Sequence, residues 1–118
     1  MSISFEGIGE VTATFLLEED GTVKPGDVVC LSGNDTVGLG TAGTIPCGVA
    51  ATVAEDGCIG VQIGGLAEVA YSGETAPAAG WNTLAADGQG GVSTVKTGGR
   101  AYLAVSVDTG AQTALIML

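Results

Sequence analysis

Residues that favour tight turns recur about every 8 to 12 positions along this chain, and the stretches between them are short and rich in β-branched residues. The turns are carried by Glu18-Glu19-Asp20-Gly21, Lys24-Pro25-Gly26-Asp27, Ser32-Gly33-Asn34-Asp35, Glu55-Asp56-Gly57, Ser72-Gly73, Asp87-Gly88-Gln89-Gly90-Gly91, Gly98-Gly99 and Asp108-Thr109-Gly110. Between them the sequence predicts strands over Glu10 to Leu17, Val28 to Leu31, Thr36 to Leu39, Cys47 to Val53, Ile59 to Ile63, Leu66 to Tyr71, Gly80 to Ala85, Val92 to Lys96, Ala101 to Val107 and Thr113 to Leu118. No apolar pattern with the 3.6-residue helical period lasts beyond two turns. A single short helix around Ala76 to Gly80 is the most helix the sequence allows. The expectation is an all-β fold, a small barrel or sandwich with little helix.

The stretch Val23-Lys24-Pro25-Gly26-Asp27-Val28-Val29-Cys30-Leu31 feeds a tight turn into an apolar run. It is echoed by Ala78-Ala79-Gly80-Trp81-Asn82-Thr83-Leu84, 54 positions downstream. With the same shift Ala50, Thr52, Val53, Val61 and Ile63 fall on Ala104, Ser106, Val107, Leu115 and Met117. The sequence therefore predicts two related β units, about 22–71 and 76–118, inside one domain spanning 10–118. Residues 1–9 are expected to form an extended arm, in which Ile3, Phe5 and Ile8 offer apolar side chains to a partner.

With 118 residues the chain has enough length for one core. It contains 21 glycines but only two Phe, two Tyr and one Trp. Cores of Val, Ile, Leu and Ala suit strands packed in thin layers, so a large ligand cavity is not expected. Thirteen acidic side chains against Lys24, Lys96 and Arg100 give a formal charge of −10, which disfavours phosphate binding and makes nucleic acid a poor partner. No stretch approaches the ~18 apolar residues of a membrane span, and Met1 to Glu6 lacks the basic and apolar regions of a signal peptide. A soluble protein made in a reducing cytosol is the expectation.

Histidine is absent, and the three cysteines, Cys30, Cys47 and Cys58, have no CxxC spacing. A disulfide framework, a zinc site and base-activated nucleophilic catalysis are all disfavoured, and each cysteine is expected to act as a small buried hydrophobe. Gly38-Leu39-Gly40-Thr41-Ala42-Gly43 matches Gly-x-Gly-x-x-Gly, but Pro46 arrives where a dinucleotide fold needs a helix. The acidic stretch at Glu18 to Gly21 lacks EF-hand ligand spacing. Asp108-Thr109-Gly110 has the composition of an aspartic-protease signature, yet it sits between two predicted strands, where Asp and Gly are ordinary turn residues. No catalytic, metal or cofactor site is expected, and the chain does not read as an enzyme. Trp81 stands at a turn-to-strand position and has two readings, a core plug for the second unit or an anchor at an oligomer interface.

The order Val-Lys-Pro-Gly-Asp-Val-Val (Val23 to Val29), Ile-Pro-Cys-Gly-Val-Ala (Ile45 to Ala50), Val-Gln-Ile-Gly-Gly (Val61 to Gly65) and Gly-Gly-Arg-Ala (Gly98 to Ala101) resembles the capsid decoration, or cement, proteins of tailed bacteriophages. The likeness covers Thr22 to Leu118 and rests on turns and core strands, with Trp81-Asn82 standing where an acidic residue or valine is more usual. It implies a structural virion protein, made in the bacterial host cytoplasm. Such a protein binds the outside of the mature head as a homotrimer and bridges copies of the major capsid protein. On this reading Ile3, Phe5 and Ile8 are capsid-contact candidates and Trp81 an oligomer-interface candidate. An adhesion or carbohydrate-binding β module is the alternative, and would need a platform of exposed rings from Trp81, Tyr71 and Tyr102.

Overall fold

The computed structural model describes residues 11–19 and 21–118. Among these residues there are ten β-strands and no helix: β1 (Val11–Leu17), β2 (Val28–Gly33), β3 (Thr36–Gly38), β4 (Gly48–Val53), β5 (Cys58–Gly64), β6 (Leu66–Ser72), β7 (Gly80–Ala86), β8 (Val92–Thr94), β9 (Arg100–Asp108) and β10 (Thr113–Met117). The expected arm and its candidates Ile3, Phe5 and Ile8 lie outside the described residues.

The strands close into two five-stranded barrels, β1-β3-β2-β4-β5 and β6-β8-β7-β9-β10. Every pairing in the first has a counterpart in the second. The parallel pair β1/β3 (Leu17 opposite Val37) answers β6/β8 (Tyr71 opposite Val92), and the antiparallel pair β4/β5 answers β9/β10. The irregularities repeat as well. One residue is skipped in β4 between Ala50 and Thr52 and one in β9 between Ala104 and Ser106, so Ala51 and Val105 occupy equivalent bulges 54 positions apart. Because a bulge raises local twist, its repetition marks the same bend in both barrels.

The repeat is drawn differently from the 22–71 and 76–118 halves. β1 belongs to the first barrel and β6 opens the second, with the boundary at Gly65. The sequence echo is anchored on Gly26 and Gly80, which share positive φ values of 93° and 112°, and both lie inside their units rather than at the start. The helix allowed around Ala76 to Gly80 does not form. The Asn82 side chain binds that loop instead, its Nδ2 donating to the carbonyls of Ala78 (2.8 Å) and Gly80 (3.0 Å) while Oδ1 accepts from the Ala78 N–H (3.1 Å). These bonds occupy backbone groups that a helix would need.

Inside the first barrel Val23, Val29, Val37, Ala50, Ile59 and Val61 form one cluster. The second cluster is larger and crosses the unit boundary: Val28 and Val49, on the outer face of the first barrel, pack with Val69, Tyr71, Leu84, Val92, Tyr102 and Ile116 of the second. The space left at this junction, lined by Val28, Val49, Val69, Val92, Tyr102 and Leu118, is about 10 Å³, no more than one water needs. Main-chain bonds cross the junction, from Val28 N–H to the Gly90 carbonyl (2.8 Å), Gly43 N–H to Ala86 (2.9 Å) and Ala86 N–H to Thr44 (2.8 Å). Gln62, buried in the same outer face, donates from Nε2 to the carbonyls of Gly64 (3.0 Å) and Leu66 (2.9 Å), fixing the link between the units.

Close approach of β4 to β5 requires glycine at position 48. A Cβ there would overlap the Gln62 carbonyl oxygen and lie 2.7 Å from a Val61 methyl group. Since the obstacle is backbone on a central strand, relief needs strand displacement. Gly48→Ala is expected to destabilise the protein by about 1 to 3 kcal/mol, the usual cost of overpacking, read as a lower urea midpoint with an unchanged slope.

Candidate interaction surface

Trp81 pairs with Leu103 across β7 and β9, Leu103 with Met117 across β9 and β10, and Met117 with Leu66 across β10 and β6. Directly opposed residues point to the same side of a sheet, and neighbours along a strand to opposite sides. The neighbours of Leu103 on β9, Tyr102 and Ala104, are buried inside the barrel. The four residues therefore form a continuous apolar row on the outside. Trp81 is 73% exposed and Met117 46%, with Leu103 and Leu66 half-buried. This overturns the core-plug reading of Trp81: alternation turns it outward, and Leu84, three residues on, fills the core instead.

Beside the row, the β9–β10 hairpin and β6 bound an open polar groove of about 670 Å³ lined by Glu68, Ser106, Asp108, Thr109, Thr113 and Leu115. It is a surface feature, unlike the small space at the junction. Three of the acidic turn residues are engaged with their own backbones. Asp108 Oδ1 accepts from the N–H groups of Gly110 (3.0 Å) and Ala111 (3.1 Å), Asp56 Oδ1 from Cys58 (3.1 Å), and Asp27 Oδ2 from Lys24 (2.9 Å). Asp108-Thr109-Gly110 is thus a turn, as its composition indicates. Among the described residues no three His, Cys, Asp or Glu side chains gather closely enough to hold a metal, and no helix is long and apolar enough to cross a membrane.

Asp87 organises the loop beside the barrel junction. Its Oδ1 accepts from Gln89 N–H (2.7 Å) and Gly91 N–H (3.0 Å), and its Oδ2 from the Ser72 hydroxyl (2.8 Å). Partial burial alone would raise its pKa; the three donors outweigh that and hold the carboxyl below its ordinary 3.8. Nearby, the Arg100 guanidinium lies 4.8 Å above the Tyr102 ring. Burial pushes the Tyr102 phenol up while Arg100 pulls it down, and the net shift is upward.

All three cysteines are free, but their environments differ. Cys30 is buried, and burial pushes its thiol up to about 11, with Cys47 and Glu18 adding to the shift. Cys47 and Cys58 are only half-buried, which corrects the expectation of three buried hydrophobes. Burial raises the Cys47 thiol; Cys58, at the first residue of β5, is raised by its hydrogen bond with Asp56 and by that carboxylate's charge.

The residues the sequence did not single out are Leu66, Leu103 and Met117. A signal was present: Tyr102-Leu103-Ala104-Val105 is apolar on both faces, the mark of a strand covered on both sides. No family model matches the chain, and no curated protein matches it.

Two measurements probe this surface and its surroundings. Cys30 is expected to be the last thiol to react with a disulfide reagent at about pH 8, because only about one part in a thousand of a thiol with that pKa is thiolate there. Mass spectrometry should show Cys58 labelled first and all three labelled in denaturant. For Asp87, whose folded pKa is depressed, the stabilising effect is present above 3.8 and lost as pH falls through the folded value. Asp87→Asn should cost about 1 to 2 kcal/mol at neutral pH, and in urea unfolding the difference from wild type should shrink steadily as pH falls below 3.8.

Proposed function

We propose that this chain is a structural virion protein that binds the outside of the mature phage capsid and stabilises the head by bridging major capsid subunits. The observation that carries the reading is the place of the motif residues in the fold. The Pro25-Gly26-Asp27 turn is joined to Ala50 by Gly26 N–H (2.7 Å) and by Ala50 N–H to Asp27 (2.8 Å), and Cys47 N–H donates to Val29 (2.8 Å). Two of the segments that carry the decoration-protein resemblance thus meet, and their Val28 and Val49 lie at the joint of the two barrels. A cement protein needs rigidity and surfaces: a molecule that binds only the mature lattice stabilises it by mass action, and several contacts from one oligomer add effective concentration. The charge of −10 suits an exterior protein that leaves packaged DNA alone.

On this reading the protein is synthesised in the bacterial host cytoplasm, self-associates as a homotrimer, and requires no catalytic group or cofactor. Ile3, Phe5 and Ile8 are the capsid contacts, adding an extended segment to a sheet edge of the shell. The carbohydrate-binding alternative loses support, since Tyr71 and Tyr102 are buried and leave Trp81 without the ring platform it would need.

Removing Met1 to Gly9 is expected to abolish co-sedimentation with expanded heads while leaving the far-ultraviolet circular dichroism of the barrels unchanged. Undiminished binding by the truncated chain contradicts the assignment of the arm.

A further inference from the structure

We infer that the open row of the second barrel is the face through which this chain assembles with itself, and that it seats head-to-tail on the first barrel of a second copy. The inference deepens the proposed function by naming the self-association surface, and rests on that reading only for the existence of an oligomer.

The argument comes from the repeat. In the first barrel the registers place Val28 opposite Val49, Val49 opposite Gln62 and Gln62 opposite Thr12, across β2, β4, β5 and β1. The row Trp81–Leu103–Met117–Leu66 crosses the equivalent strands β7, β9, β10 and β6. The two rows are the same feature of the same barrel, with opposite fates. Val28, Val49 and Gln62 are 2%, 6% and 9% exposed where the second barrel meets them, with Thr12 at the end of the row exposed, whereas the counterpart row is open along its length. Its chemistry runs against its exposure: the covered row includes a glutamine, and the open row is entirely apolar. Large apolar side chains arrayed together in solvent mark an interaction surface.

The receiving side is repeated too. The second barrel meets the first through a surface that includes Val69, Tyr71 and Ala86, all buried. Pairing registers make Phe15, Leu17 and Leu31 their counterparts: Phe15 and Val69 face Ile59 and Ala114, Leu17 and Tyr71 face Val37 and Val92, and Leu31 and Ala86 face the same two valines. On the first barrel no second unit covers this surface: Leu31 is 58% exposed, and Phe15 and Leu17 are half-buried, packed against that barrel's own core. The chain thus presents an unused row at one end and an unused seat at the other, the pair of surfaces that meets once inside the molecule. The residues named on the two surfaces are all uncharged, with Glu68 and Glu18 at their margins. A contact between two different patches of identical chains is heterologous, and it builds a ring when the rotation closes.

The test uses the full chain in solution without capsids, by light scattering and by the emission of its single tryptophan. Wild type is expected to form a discrete oligomer with blue-shifted Trp81 emission. Trp81→Glu and Leu31→Glu, both at exposed positions, should each weaken association at least about 30-fold, the scale of an interface hot spot. Their circular dichroism should match wild type. Leu31→Glu should red-shift Trp81 emission although it lies on the other barrel. Mixing the two variants leaves one intact row and one intact seat, so it should restore dimers and nothing larger. A monomeric wild type, an assembled Trp81→Glu or Leu31→Glu, or a mixture without dimers overturns the inference. So does a wild type whose Trp81 is shielded only when residues 1–9 are present, since the chain's own arm is then the occupant. A wild type that sediments with expanded heads yet stays monomeric overturns this inference alone; one that assembles and ignores heads supports it and overturns the capsid reading.

Discussion

The contact on which the rest of the molecule depends is the seating of Val28 and Val49, from the outer face of the first barrel, in the core of the second. Each barrel contributes only about half of a 118-residue chain, near the size where a single core stops being sufficient. Sharing a core removes that limit. Burying two valines contributes about 1.5 to 3 kcal/mol each relative to exposure, and the main-chain bonds to Gly90, Ala86 and Thr44 fix the orientation. Gln62, whose amide holds both Gly64 and Leu66, makes the covalent link between the units as rigid as the packing.

On the proposed reading, the repeat carries this contact beyond the single molecule. When a unit whose outer row seats on its neighbour is repeated once, the second row and the first seat remain unmatched. The bulges at Ala51 and Val105 show how closely the bend of the barrel wall is preserved between the copies. The geometry repeats while the chemistry differs: Gln62 in the covered row is answered by Met117 in the open one. A scaffold of this kind suits the proposed role on a capsid, where strength comes from repeated contacts between rigid bodies and no bond is made or broken.

Much of the architecture was legible in the sequence. All ten strands follow from turn residues and short β-branched runs, and Asp108-Thr109-Gly110 forms the turn its composition implies. The duplication was visible through the Gly26 and Gly80 echo, but the unit boundary at Gly65 was not, because the echo lies inside each unit. The side on which Trp81 falls depends on its register with Leu103, which no local pattern contains. Apolar residues on both faces of Tyr102 to Val105 did not say which face turns into the barrel. Cys47 and Cys58 looked like core residues by their apolar neighbours, yet they lie at the rims of β4 and β5, where packing is incomplete.

The central claim is that the outer row of one barrel completes the core of the other, so that the two open as one body. Native-state hydrogen exchange on the full chain tests this most directly. The slowest amides of the first barrel, around Val29 and Val61, should share one opening free energy with those of the second, around Leu84 and Ile116, and fall together as denaturant is added. Two separate sets of opening energies, with one barrel exchanging while the other stays protected, would contradict it.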